Sequence, residues 1–130
     1  MAGNPYEIAR SGPDRFEDER GVIKDLLGSV DAVTEIATRA GAIRGNHVHQ
    51  HTTQWAYVVR GRLWAAWLED DGVHKKLHEP GDLICERAGI PHAWQAQDDC
   101  VVLVFTRGPR SGAAYETDTE RLDEKYWLLR

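Results

Sequence analysis

The chain is short of cysteine, has no excess of basic residues and contains no long apolar run. Each shortage removes a class of protein. Two cysteines, Cys85 and Cys100, make no disulfide framework. Both lie in apolar stretches, where buried free thiols are expected, and Cys85 has the alternative of a redox or ligand role. Lysine and arginine total 16 against 21 acidic residues, a net charge of -5. A nucleic-acid partner would want a basic face, so that class is set aside. No stretch approaches the roughly 18 apolar residues of a membrane span. The opening MAGNPYEIAR lacks the apolar segment of a signal peptide, which predicts a cytoplasmic protein with no membrane partner. Repeats and low-complexity segments are also missing. At 130 residues, one domain over 1–130 with a genuine core is expected.

Histidine at regular spacing is what the chain does have. His47, His49 and His51 occupy alternate positions in GAIRGNHVHQHTTQWAYVVRG. Alternate residues of a strand share a face, so the three imidazoles are predicted to project the same way. Gln54 opens the next apolar run, and His92 follows a Gly-Ile-Pro turn far downstream. Neutral imidazoles converging from different strands suit a divalent metal.

The spacing runs Gly41, five residues, His47, one residue, His49, four residues, Gln54, six residues, Gly61. This resembles the first motif of the cupin superfamily, with Gln54 where glutamate is usual. GDLICERAGIPHAWQA resembles the second motif. Its Arg87 stands in place of the usual proline, His92 occupies the final histidine position, and Ala96 replaces the trailing asparagine. The resemblance implies an all-β double-stranded β-helix, a small jelly-roll barrel with its site in the mouth. It also implies one divalent metal per chain (Fe, Ni, Mn or Zn), held by His47, His49 and His92 with Gln54 as a fourth ligand.

The remaining pattern agrees with an all-β chain. Short apolar runs are separated by turn signals such as Asp70-Asp71-Gly72 and Glu79-Pro80-Gly81-Asp82. Tyr6 to Ala9 and Glu17 to Asp25 are each read as a strand. Val30 to Arg39 reads as a strand, with a helix as the competing assignment. Cys100 to Phe105 is apolar throughout and is predicted to be buried on both faces. The core barrel is placed at about 30–107. The charged tail after it is expected to pack on the barrel or on a second subunit.

A small-molecule ligand is the expected partner. Neutral Gln54 leaves the full charge of a bound metal on the site, which suits an anionic substrate in oxygen-dependent cleavage or isomerisation. His51 is assigned as general acid or base, because its ordinary pKa lies near neutrality. Trp94 is placed at the cavity mouth, where it can stack on a planar ligand. His74 and His78 are read as solvated. Arg44-Gly45-Asn46-His47 resembles the corresponding stretch of dTDP-sugar 3,5-epimerases and related sugar ketoisomerases. That likeness implies a metal-free alternative, with His47 or His49 as base and Arg44 holding the phosphates. By strict alternation Arg44 and His47 face opposite ways, unless a bulge at Gly45 re-aims one of them. A third alternative is a non-catalytic small-ligand-binding module. Five tryptophans, with Trp55 predicted to face outward, point to a homodimer.

Overall fold

Alternation of inward and outward side chains along short strands builds two facing antiparallel sheets. The computed structural model describes residues 15–130. A hairpin of β1 (Arg15–Asp18) and β2 (Gly21–Lys24) precedes the barrel. The barrel strands are β3 (Ala32–Thr38), β4 (Ile43–His49), β5 (Thr53–Arg60), β6 (Leu63–Glu69), β7 (Gly72–His78), β8 (Leu83–Glu86), β9 (His92–Ala96) and β10 (Cys100–Arg107). Helix α1 (Gly112–Asp118), β11 (Thr119–Arg121) and a 3-10 turn at Glu124–Tyr126 complete the chain. One sheet has the order β3-β10-β5-β8 and the other β11-β4-β9-β6-β7. This is the all-β jelly-roll barrel expected from the motifs.

The core lies between the sheets. Ala56 and Val58 from β5, Ile84 from β8 and Val102 and Val104 from β10 meet Leu63, Trp67 and Trp94 from the facing sheet. Each fully buried aliphatic side chain stabilises the fold by about 1.5–3 kcal/mol. Glycine is required at two places, a tight corner and a strand bulge. Gly61 turns β5 into β6 at φ 78°, with an added Cβ only 2.2 Å from the Asp99 carbonyl oxygen. Gly45 sits at φ 90° in a bulge of β4, where an added Cβ would lie 3.0 Å from the His92 carbonyl oxygen.

Several expectations are corrected. Val30 to Arg39 contains strand β3, so the helical alternative falls. Glu17 to Asp25 is not one strand, because the chain reverses after Asp18 and pairs Phe16 with Ile23. Strand β10 is buried only at alternate positions, Cys100, Val102, Val104 and Thr106. Its alternate residues Val101, Leu103 and Phe105 are half-buried, on the face of the sheet turned away from the core. His78 is fully buried, 3.3 Å from Asp82, because the end of β7 closes over the turn leading to β8. The strand read at Tyr6 to Ala9 lies outside the described residues. No helix among the described residues is long and apolar enough to cross a membrane.

Candidate active site

Cross-strand pairing assembles the site. His47 on β4 lies opposite His92 on β9, and His49 lies opposite Thr119 on β11. Gln54 on β5 lies opposite Glu86 on β8. Directly opposed residues share a face and touch, so three register pairs bring the polar groups into one barrel. A cavity of about 380 Å³ opens there, lined by all three of these histidines together with Gln54, Trp94, Arg44, Arg110, Tyr115 and Arg121.

Two of the three imidazoles, His49 and His92, are held at their Nδ1 sides. His47 Nε2 is 3.0 Å from His92 Nε2, and the two rings meet edge to face. His92 Nδ1 is 3.3 Å from the Ile90 carbonyl oxygen and 3.6 Å from Glu86 Oε2. His49 Nδ1 is 3.0 Å from Thr119 Oγ1 and 3.9 Å from Asp118 Oδ2. That Asp118 oxygen is buried and has no hydrogen-bond partner among the described residues. With Nδ1 of His49 occupied, Nε2 is the nitrogen free for chemistry. Burial, followed by the charges of His92 and His49, pushes the pKa of His47 down to about 3. Burial and His92 push His49 down to about 4, against the pull of Asp118. Both rings are therefore neutral at physiological pH.

Glu86 is the anchor beneath the site. It is 1% exposed and accepts hydrogen bonds from Gln54 Nε2 at 2.8 Å and Trp94 Nε1 at 3.2 Å. Because a carboxylate faces the Gln54 NH2, the carbonyl oxygen of Gln54 is the atom left for the cavity. Trp94 is deeper than its predicted place at the mouth; it is buried and belongs to the core cluster.

Arg44 does line the cavity, because the β4 register shifts between Gly45 and His47 and Asn46 adopts a left-handed φ of 55°. His51 is not brought to the cavity. The strand ends at His49, so alternation stops there, and His51 sits exposed in the following turn. Its backbone N–H donates to Asp118 Oδ1 at 2.7 Å. Sequence reasoning missed Glu86, Arg110, Tyr115, Asp118, Thr119 and Arg121. Glu86 had a usable signal, its place inside the second motif. The others come from the polar tail, where no periodicity marks them.

A metal would find a compatible donor set. Ligand nitrogens of His47, His49 and His92 all lie within 4.8 Å of one another. Carbonyl or hydroxyl oxygens at the Nδ1 sides of His49 and His92 are the partners that orient metal-binding histidines.

The cupin family model matches residues 23–115. The chain belongs to the cupins. No curated protein matches this cupin in sequence. Solved structures share its fold at low identity. The dTDP-4-dehydrorhamnose 3,5-epimerase from Sulfolobus tokodaii is 18% identical, with a TM-score of 0.70 over 95% of this chain and 85% of that one. A sugar 3,4-ketoisomerase from Thermoanaerobacterium thermosaccharolyticum, in complex with TDP, is 18% identical, with a TM-score of 0.71 over 87% and 86%. The 3,4-ketoisomerase from Helicobacter canadensis is 15% identical, with a TM-score of 0.75 over 93% of each chain.

Proposed function

We propose that this cupin is an isomerase or epimerase acting on a nucleotide-linked keto sugar, with His49 as the base. The observation that carries the reading is the surroundings of His49. A neutral imidazole has its Nδ1 beside the Thr119 hydroxyl and the unpartnered Asp118 carboxylate oxygen. Its other nitrogen is left for a cavity lined by three arginines and a tyrosine. The carbon beside a carbonyl carries an acidic proton. His49 Nε2 takes it, and the electron pair moves onto the carbonyl oxygen as an enolate. Asp118 then faces an imidazolium and stabilises it. Return of a proton to the same carbon from the opposite face inverts the centre. Return to the former carbonyl carbon, with the hydroxyl on the deprotonated carbon passing its proton to the enolate oxygen, moves the keto group. The tyrosine on the same wall, Tyr115, has its ring 5.7 Å from that of His49 and can supply the proton. The arginines suit the diphosphate, and Arg110 in particular contributes to lowering the His49 pKa. An anion bound there relieves that effect and strengthens the base. The sugar-modifying enzymes that share the fold support the same class.

The experiment is solvent deuterium exchange into dTDP-4-keto-6-deoxyglucose, followed by mass spectrometry. Wild-type protein incorporates deuterium, and His49→Ala lowers the rate at least about 100-fold, the usual worth of a positioned base. An unchanged rate in the variant removes His49 from the role.

The nitrogen cluster favours a second reading, in which His47, His49 and His92 hold a divalent metal, with Gln54 able to add its carbonyl oxygen. A bound metal would polarise a substrate carbonyl or bind oxygen. In that case the chain's own contribution is to hold three neutral ligands in place and keep Arg44 and Arg110 ready for the anionic substrate. Elemental mass spectrometry on protein purified without chelator or affinity tag separates the readings. Stoichiometric metal that is lost in His49→Ala supports the second, and full turnover by metal-free protein supports the first.

A further inference from the structure

We propose that the outer face of the sheet β3-β10-β5-β8 packs against the same face of a second copy of this chain, about a two-fold axis that runs along the strands. Register defines that face. Leu103 of β10 lies opposite Glu35 of β3 and Tyr57 of β5. Phe105 lies opposite Val33 and Trp55 in the same way. Directly opposed residues share a face, so two rows, Glu35-Leu103-Tyr57 and Val33-Phe105-Trp55, cross three strands. The core takes Ala56, Val58, Val102 and Val104 from the alternate positions, which leaves these rows on the side turned away from it.

The rows are apolar where a surface is ordinarily polar. An antiparallel sheet with one face on the core alternates apolar residues inward with polar residues outward. Here β10 offers Val101, Leu103 and Phe105 on its outer side, all half-buried, and Val33 on the edge strand is 58% exposed. A contiguous apolar patch on a folded surface marks an interaction site. Hairpin β1–β2 extends the patch. Phe16 and Ile23 oppose one another on it and are 55% and 63% exposed. Its strands pair only with each other among the described residues. An isolated two-stranded hairpin is marginal in water until its apolar side chains are covered.

Charge selects the occupant. Glu35 is exposed in the middle of β3 and has no ion pair among the described residues. At the other end of its row Lys24, the last residue of the hairpin, holds its ammonium 5.5 Å from the centre of the Tyr57 ring. One row therefore has an acid on β3 and a cation over β5. A two-fold axis along the strands reverses the row onto itself, so Glu35 of each copy meets Lys24 of the other. The same rotation sets β3 of one copy beside the hairpin of the other and gives Phe16 and Ile23 the cover of Val33. A surface that complements itself in this way is the requirement of a closed two-fold dimer. The second cation of the face, Arg107, lies one row further along, 4.8 Å from the centre of the Trp55 ring. Hydrogen bonds to the Gly28 and Ser29 carbonyls hold it at the end of β10.

The test is sedimentation of the full chain in an analytical ultracentrifuge over a range of concentrations. Wild-type protein should sediment as a dimer. Leu103→Asp places a carboxylate at the centre of the face and should yield monomers that keep the circular dichroism of the barrel. Glu35→Lys sets like charges against each other and should weaken the dimer at least about tenfold, while the exposed position leaves the fold intact. Lys24→Glu should do the same. A chain carrying both Glu35→Lys and Lys24→Glu restores two opposite-charge pairs and should recover most of the loss, which no folding defect can imitate. A monomeric wild type overturns the proposal, and so does a dimer that none of the three single substitutions weakens. Weakening by both charge reversals without recovery in the double variant overturns the axis and with it the pairing of Glu35 and Lys24.

Discussion

Glu86 offers the sharpest separation of structure from chemistry. In Glu86→Ala the indole N–H of Trp94 and the amide of Gln54 both lose the acceptor that they now share. A buried donor left without a partner costs about 1–3 kcal/mol, so the two together cost about 2–6 kcal/mol. Domains are stable by only about 5–15 kcal/mol, and the variant should show a large fall in its urea midpoint. Trp94 is the natural fluorescence reporter. Glu86→Gln should behave differently. The new NH2 cannot face the Gln54 NH2, so Gln54 turns its amide over and accepts, while the new carbonyl serves Trp94. Loss of stability should then stay below about 1 kcal/mol, near the net worth of one hydrogen bond. Turnover should still fall, because Gln54 now presents a donor where it presented an oxygen. If Glu86→Ala unfolds within about 0.5 kcal/mol of wild type, the carboxylate is not the anchor that its contacts indicate, since that is the range of ordinary surface substitutions.

Two further expectations concern stability. His49 has a folded pKa of about 4 against an ordinary 6.5, so the unfolded chain binds more protons between those values. Stability is fully present above about pH 6.5 and declines as the pH falls towards 4, by about 3 kcal/mol at most from this group. Urea midpoints measured at pH 7.5, 5.5 and 4.5 test this, and His49→Gln should flatten the slope; an unchanged slope would refute it. Gly61→Ala meets both a φ of 78° and a Cβ position 2.2 Å from the Asp99 carbonyl oxygen. It should cost about 2 kcal/mol or more and lower the melting temperature accordingly, as strained backbone substitutions do.

The barrel and half of its site were legible in the order of residues. The alternation of His47 and His49, the distance to His92 and the flanking glycines depend on strand period and turn geometry, which are local properties. The cross-strand partner of Gln54 was out of reach, because pairing register is set by how β5 meets β8 and not by either segment alone. Alternation also misled at His51, since the strand ends two residues earlier, and at Arg44, where a bulge reverses the face. The polar surroundings of His49 come from a tail about seventy residues away that reads as charged surface. Only the pairing of β11 with β4 sets Thr119 and Asp118 beside His49 and brings Arg121 to the cavity wall. Local periodicity determined which residues could share a face. Long-range packing decided which faces meet, and with them the chemistry open to this protein.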